Sequence, residues 1–341
     1  MKKKLILAGI VVWVLIVGVI VTVIVAAARG GGISMFADTK LVKEDNIKLE
    51  EQKNLIIECD SGAIEVVAGT GDEIKVEQYG GSRLTEEELF QVKADSNTIQ
   101  IQQKNKIRIV SLNFSLDERL VIEVPKKYAG NVELKNSSGG IRVKDHFVWD
   151  DLKISNSSGG IKLLDKVEAN NVNVKVSSGG ILIEEKLTAA GTVELKSSSG
   201  GIKALTEIEA DTINVTASSG GIKLGDVMVN EFKLKCSSGH LRADSLSGGG
   251  EVRSTSGGME IGLRNITSDV YTKSNSGGTK IYVDPDMEFS FTGKASSGGI
   301  KSNFPMDIND NKNRASAVVG KNPSVQITSE SSSGGIKINQ Q

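Results

Sequence analysis

The chain has 341 residues, 41 of them Lys or Arg and 42 Asp or Glu, so its formal net charge is −1. This length is ample for one large domain or several small ones, and the balanced charge gives no overall field that would indicate nucleic-acid binding. Aromatic residues make up only 4% of the chain, which suits a thin core of stacked aliphatic side chains.

The first segment combines a basic start with a long uncharged stretch. Three lysines, 2–4, precede residues 5–28, which carry no charged side chain. As a helix this stretch would be about 36 Å long, enough to cross a hydrocarbon core of about 30 Å. Because lysines stay on the cytoplasmic side, the sequence predicts a cytoplasmic tail at 1–4, a transmembrane helix at 5–28 and an extracellular C-terminal part. We therefore expect a single-pass protein of the cell membrane.

The alternative for this segment is a secretory signal peptide cleaved near the small residues 26–28, although the apolar stretch is long for one. Residues 29–45 begin with Arg29 and three glycines, and we expect them to form a linker. Residues 46–131 are less regular but rich in strand patterns, and we expect N-terminal coils and a cap there. Thr85 and Glu88 have the spacing of a capping box, which predicts a short helix.

The motif Ser-Ser-Gly-Gly-Ile dominates residues 132–302 and returns once more near the C-terminus. Successive copies are 18 to 21 residues apart, apart from one final step of 36. A spacing that stays near 20 residues over so many copies of the motif indicates stacked structural units. We therefore expect a regular repeat region at 132–302, then an insertion and a terminal coil at 303–341. The first glycines of the copies are at 139, 159, 179, 200, 220, 239, 257, 277, 298 and 334.

Within each repeat, apolar and polar residues alternate, which is typical of half-buried strands. One repeat cannot bury its apolar face alone, so each must stack on the next. The sequence predicts an all-β fold, a parallel β-solenoid that is right-handed by the usual crossover preference; an array of antiparallel hairpins is the alternative. Two core ladders are expected: Ile141, Ile161, Ile181, Ile202, Ile222, Leu241, Met259, Thr279, Ile300 and Ile336, and Leu134, Ile154, Val174, Leu195, Val215, Leu234 and Val252.

The two cysteines occupy the same position of the repeat. Cys59 and Cys236 each precede the first glycine of a turn by three residues, a position expected to point inward. They would then lie many coils apart, beyond the Cα separation of about 4.4–6.8 Å that a disulfide needs. The sequence predicts two buried free thiols.

Three features together resemble a bacterial family of adhesins with β-strand repeats, a domain of unknown function. They are the single N-terminal span, the segment 120–128 that leads into the repeats, and the Ser-Gly-x-Ile turn about every 20 residues. The chain is also similar to the membrane-anchored proteins of Lia-type envelope-stress operons in Gram-positive bacteria. The resemblance covers nearly all of the extracellular part. It implies a role at the cell surface and brings no catalytic site with it.

Outward positions on either side of the turn carry two rows of cations. The upstream row stands four residues before the first glycine and comprises Lys135, Lys175, Lys196, Lys235, Arg253, Lys273 and Lys294. The downstream row stands three residues after it and comprises Arg142, Lys162, Lys203, Lys223, Arg242, Lys280, Lys301 and Lys337. Such rows could match a linear polyanion, an anionic cell-wall polymer above all. The alternative is that they serve solubility and discourage edge-to-edge aggregation.

Motifs for catalysis and metal binding have little support. His146 and His240 are isolated, and the repeated serines single out no nucleophile. The run Asp307–Asn313 resembles the start of a calcium loop, but Lys312 stands where such a loop needs glycine. We therefore expect no cofactor, no metal and no enzymatic activity.

The sequence thus predicts a membrane-anchored cell-surface protein with a non-catalytic, adhesin-like or scaffolding role in the bacterial envelope. An anionic cell-wall polymer or an envelope protein is the expected partner, and nucleic acid is not. The alternative is an envelope-stress accessory that acts through a membrane protein partner. A polysaccharide-acting enzyme is the third hypothesis, disfavoured because such enzymes collect carboxylates on an outward face.

Overall fold

A computed structural model describes residues 39–81, 84–104 and 118–341 of the chain. The predicted tail, the predicted transmembrane helix and the start of the predicted linker therefore lie outside the described residues. Within the described ranges, no helix has the length and apolar character needed to span a bilayer. One 3₁₀ turn is present, Glu86–Glu88, where the Glu88 carboxylate accepts a hydrogen bond from the Thr85 backbone N–H at 2.8 Å.

All other regular structure in the described ranges consists of strands joined in one sheet. In chain order the strands are β1 Lys40–Lys48, β2 Asn54–Cys59, β3 Ala63–Gly69, β4 Glu73–Gly80, β5 Gln91–Ala94, β6 Thr98–Gln103, β7 Arg119–Pro125, β8 Asn131–Ser138, β9 Ile141–Val143, β10 Phe147–Val148, β11 Asp151–Ser158, β12 Ile161–Leu163, β13 Val167–Ala169, β14 Asn171–Ser178, β15 Ile181–Ile183, β16 Leu187–Ala189, β17 Thr192–Ser197, β18 Ile202–Ala204, β19 Ile208–Glu209, β20 Thr212–Ala217, β21 Ile222–Met228, β22 Glu231–Ser238, β23 Leu241–Ser256, β24 Met259–Ser276, β25 Thr279–Val283, β26 Phe289–Ser297, β27 Ile300–Ser302, β28 Asp307–Ile308, β29 Arg314–Val319, β30 Gln326–Ser333 and β31 Ile336–Gln340.

Each regular coil has three strands that define three faces of the solenoid. In one coil these are β11 on the first face, β12 on the second and β13 on the third. Each pairs in parallel with its equivalent in the next coil, β14, β15 and β16 respectively. The parallel β-solenoid predicted from the sequence is therefore confirmed for the repeat region, and the array of antiparallel hairpins is wrong.

The core consists of aliphatic ladders that run along the coil stack. Ile161 lies opposite Ile141 on one side and Ile181 on the other, and all three are at most 2% exposed. The residue that follows Ile161, Lys162, is exposed. This alternation confirms the predicted strand register. Fully burying an aliphatic side chain of this size contributes about 1.5–3 kcal/mol, so the stability of the stack grows coil by coil.

The first glycine of each turn marks the closest approach between successive coils. Gly159 has a φ of +108°, and a Cβ atom there would lie 2.2 Å from the carbonyl oxygen of Gly139. A Cβ on its neighbour Gly160 would meet nothing nearer than 3.6 Å. In this coil the two glycines therefore have different roles, and only the first is required by the stacking. In two other coils the second glycine is close as well, since a Cβ would lie 2.8 Å from backbone at Gly221 and 2.9 Å at Gly335. His240 fills the second position in one coil.

An inward-facing polar residue stabilises most of the turns from the core side, although Val176, Ala217 and Ala295 take its place in three coils. It stands three residues before the first glycine and donates a side-chain hydrogen bond to a glycine carbonyl. Asn156 Nδ2 reaches Gly139 O at 2.7 Å, and Ser197 Oγ reaches Gly200 O at 2.7 Å. Equivalent bonds come from Asn136, Cys236, Ser254, Ser274 and Ser331. Because buried carbonyls need a donor, this recurrence of Asn, Ser and Cys stabilises the turn.

Both cysteines occupy this inward position as free, buried thiols, as the sequence predicts. Cys59 lies on β2 and Cys236 on β22, with several coils between them. Burial raises the pKa of the Cys59 thiol to about 12 and also raises the pKa of Cys236. Since the thiolate is the reactive form, neither side chain should react at neutral pH.

We expect neither thiol to react with iodoacetamide at pH 8 in the native protein, and both to react in concentrated urea. Mass spectrometry of the alkylated peptides would report each site separately. Rapid native labelling of Cys236 would show that its turn opens in solution and that the inward placement is wrong.

The order of the coils at both ends differs from their order in the sequence. The coil with β2 and β3 lies between the coil with β6 and β7 and the coil with β8 and β9. At the other end, β30 and β31 lie between the coil of β24 and β25 and that of β26 and β27. The expectation that each repeat stacks on its sequence neighbour is therefore wrong at both ends.

Antiparallel strands cover both ends of the parallel stack. At one end β4 pairs with β7, β1 pairs with β4, and β5 pairs with β6. At the other end β29 pairs with β26, and β28 with β29. These strands satisfy backbone groups that an open parallel sheet would leave unpaired. β1 begins at Lys40, inside the segment predicted as a linker, because backbone pairing with β4 rather than side-chain burial orders this charged stretch.

Candidate functional site

The structure places the two cation rows on different faces. The upstream row lies on the first face, where Lys175 is the Cα partner of Lys196 in the next coil. The downstream row lies on the second face, where Lys203 is the Cα partner of Lys223. Neighbouring strands lie about 4.7–4.9 Å apart, so each row is a ladder of closely spaced charges.

Within the downstream row, cations on adjacent strands form two uninterrupted runs. One run is Lys203, Lys223 and Arg242 on adjacent strands. The other, at the C-terminal end, has Lys337 between Lys280 and Lys301. Glu260 separates the runs and accepts from Arg242 at 2.9 Å and Lys280 at 3.5 Å. Lys162 lies two strands from Lys203, with Leu182 on the strand between them.

Carboxylates on the same face neutralise most of the upstream row. Lys135 contacts Glu58 at 3.0 Å and Glu133 at 3.2 Å. Lys175 contacts Glu194 at 3.1 Å. Further pairs join Lys196 to Glu194, Arg253 to Glu251 and Lys273 to Glu330. For Lys235 and Lys294, the described part of the chain offers no carboxylate oxygen within 4.0 Å.

The pKa of Glu194 reflects this neutralisation. The hydrogen bond from Lys196 lowers the pKa of the Glu194 carboxyl, and partial burial opposes it. A second hydrogen bond, from Lys175, lowers it further. One carboxylate therefore serves two cations of the upstream row and remains ionised at neutral pH.

Most of the downstream row has no such partners. Across the described ranges, no carboxylate oxygen lies within 4.0 Å of the ammonium groups of Lys162, Lys203, Lys223, Lys301 and Lys337, and all five side chains are exposed. Arg142 is paired with Glu65 at 3.0 Å. The second face therefore carries a line of cations that are free to contact an external anion.

Sequence reasoning missed this difference between the rows. Three of the acids that neutralise the first face, Glu133, Glu194 and Glu251, stand two residues before a cation of the upstream row. That position also points outward because strand side chains alternate. The recurrence of Glu there was the available signal. Which cations each Glu reaches depends on pairing between coils, as when Glu133 contacts Lys153 at 2.8 Å.

The remaining polar candidates have structural partners. His146 Nε2 lies 3.0 Å from a Glu168 carboxylate oxygen that also contacts Lys166 at 2.8 Å. The calcium-like run forms the β28–β29 turn, in which the Asn309 side chain accepts the backbone N–H of Arg314 at 3.0 Å. No group of three metal-ligating side chains occurs among the described residues.

Comparison with known proteins connects this architecture to a family. The model of the family described as Toastrack DUF4097 matches residues 52–203 and 165–339. No curated protein matches the chain at a significant level.

Several solved structures resemble the chain along most of its length. A "putative cell adhesion protein" from Clostridium sporogenes is 14% identical, with 88% of this chain and 99% of that chain covered and a TM-score of 0.27. A "putative adhesin" from Parabacteroides distasonis is 12% identical, with 88% and 98% covered and a TM-score of 0.39. One from Parabacteroides merdae is 11% identical, with 89% and 97% covered and a TM-score of 0.38. Because the family model matches well over half of its residues, the chain belongs to the Toastrack DUF4097 family.

Proposed function

We propose that this protein is a non-catalytic, adhesin-like component of the bacterial envelope that holds a linear polyanion along its second face. The observation that carries the proposal is the line of exposed, unpaired cations in the downstream row, with Lys203 and Lys223 on adjacent strands. A phosphate-rich or acidic cell-wall polymer would present anions to this line in series.

The energetics of the two rows support this choice of face. Like charges about 4.8 Å apart repel by about 0.9 kcal/mol per pair in bulk water, less with salt. On the first face, carboxylates such as Glu194 relieve the repulsion within the chain. On the second face the repulsion between Lys203 and Lys223 has no such relief, and a bound polyanion would supply it.

The anchoring of the protein belongs to the same proposal. The uncharged segment 5–28, preceded by lysines, would span the membrane once, with the tail 1–4 in the cytoplasm. The coils would then project from the outer side of the cell membrane toward the wall. The unit that binds would be the solenoid, and the residues before β1 would only tether it.

The test is binding of the full-length protein, held in a non-ionic detergent, to isolated cell walls with and without their anionic polymer. A variant with Lys162, Lys203, Lys223 and Lys301 changed to Gln should bind the polymer at least about tenfold more weakly, a loss of about 1.4 kcal/mol. Binding by the unchanged protein should weaken steeply as salt rises, because polyanion contacts release counterions.

The matched control changes Lys135, Lys175, Lys196 and Lys273 to Gln. It removes the same charge from cations that already have carboxylate partners, so binding should fall much less. Equal losses in both variants, or no binding by the unchanged protein, would contradict the proposal. That result would indicate that the cations serve solubility. It would favour the alternative function, an envelope-stress accessory with a membrane protein partner.

A further inference from the structure

Two outward-facing tyrosines lie near the C-terminal end of the solenoid in different settings. Tyr271, on the first face, donates its hydroxyl to Glu330 at 3.0 Å and has the Arg253 guanidinium 5.3 Å from its ring centroid. For Tyr282, on the second face, no hydrogen bond or ring contact occurs within the described ranges. Tyr282 is half-buried, and its hydroxyl group has no hydrogen-bond partner within the described ranges.

The register fixes where Tyr282 lies. It points outward, because its strand neighbours Ile281 and Val283 are buried. Its Cα partners are Gly262 on one side and Asn339 on the other. Gly262 has no side chain to cover the ring from that side.

Three cations of the downstream row lie to one side of this tyrosine. Lys280 stands two residues before it on the same strand, with Lys337 and then Lys301 on the next two strands. On the other side, Glu260 contacts Lys280 at 3.5 Å from the strand that pairs with that of Tyr282. The second face thus offers an aromatic ring beside the C-terminal cation run.

This combination fits a sugar polymer better than a simple polyanion. The C–H groups on one face of a pyranose ring carry partial positive charge and contact the negative face of an aromatic ring favourably. Carboxylate, phosphate or sulfate groups on neighbouring sugars would then meet Lys280, Lys337 and Lys301. A bare polyphosphate would need the cations alone.

We propose that the second face binds an acidic polysaccharide, with one sugar ring stacked on Tyr282 and its anionic groups held by Lys280, Lys337 and Lys301. This inference rests on the proposed function and specifies the class of polyanion. Asn339, beside Tyr282 on the next strand, would supply hydrogen bonds to sugar hydroxyls.

The test compares two probes, polygalacturonate and inorganic polyphosphate of matched charge, on the full-length protein in non-ionic detergent. Tyr282→Ala should weaken binding of polygalacturonate by about fivefold or more and leave polyphosphate binding unchanged. Tyr271→Ala, the matched control on the first face, should change neither. Thermal melting of both variants would show that the solenoid remains folded.

Different outcomes would contradict the acidic-polysaccharide assignment and the broader polyanion proposal. Equal loss of both probes in Tyr282→Ala, no loss of polygalacturonate binding, or binding of polyphosphate alone would each overturn the acidic-polysaccharide assignment. The broader polyanion proposal fails separately, if the Lys162, Lys203, Lys223 and Lys301 variant binds polyphosphate as strongly as the unchanged protein.

Discussion

Ile181→Asp should destabilise the solenoid by several kcal/mol, among the largest losses that a single substitution can produce. Ile181 is 2% exposed and lies between Ile161 and Ile202 in the core ladder. A carboxylate there has no described cation beside it and must either be buried as a charge or take up a proton. Either outcome, added to the lost aliphatic contacts, costs several kcal/mol.

Leu182→Asp is the matched control, since it adds the same carboxylate one residue further along. Leu182 points outward, and its Cα partners are Lys162 and Lys203. The new charge would lie between two unpaired cations, so stability should stay the same or rise slightly. Urea titrations followed by circular dichroism would compare the two variants. Greater loss in Leu182→Asp would mean that the strand register is displaced by one residue.

Gly159→Ala should also be strongly destabilising, by about 3 kcal/mol or more, because two costs add. The φ of +108° is unfavourable for any residue with a side chain, and such backbone strain costs about 1–3 kcal/mol. In addition, the new methyl group would lie 2.2 Å from the Gly139 carbonyl oxygen. Since that atom is backbone in a paired coil, relief requires the two coils to separate.

Gly160→Ala, one position further on, provides the comparison. Its Cβ would meet nothing closer than the Gly180 carbonyl oxygen at 3.6 Å, an ordinary contact, so the midpoint of thermal unfolding should change little. Similar losses in both variants would show that the turn needs flexibility at both glycines. The conclusion that Gly159 alone is required by the stacking would then be wrong.

Much of the fold can be predicted from the sequence because every repeat has the same alternation of apolar and polar residues and the same turn motif. The alternation around Ile161 predicts the core, and the position of Cys236 before its glycine predicts a buried thiol. The second-face cations follow from the same period of two. These features depend only on position within one coil.

Features that depend on contacts between coils do not follow in the same way. Every coil presents the same turn and the same aliphatic ladder, so the motif at Gly334 fits the stack beside Gly277 or beside Gly298 equally well. The structure places it between them. The difference between the two cation rows has the same origin, because Glu194 pairs with Lys175 across coils. The placement of Tyr282 beside Gly262 likewise required the observed register.

The permuted order of the last two coils affects how the chain folds as it is synthesised. During synthesis β26 and β27 emerge before β30 and β31, while their native neighbours in the stack are those last strands. Before β30 and β31 are made, β26 and β27 can pair with the exposed edge of β24 and β25, whose turn has the same Ser-Gly-Gly motif. The final coil must therefore enter between two segments that can already pair with each other. Assembly of this end thus waits for the C-terminus, and a nascent chain released early would close on the wrong neighbour.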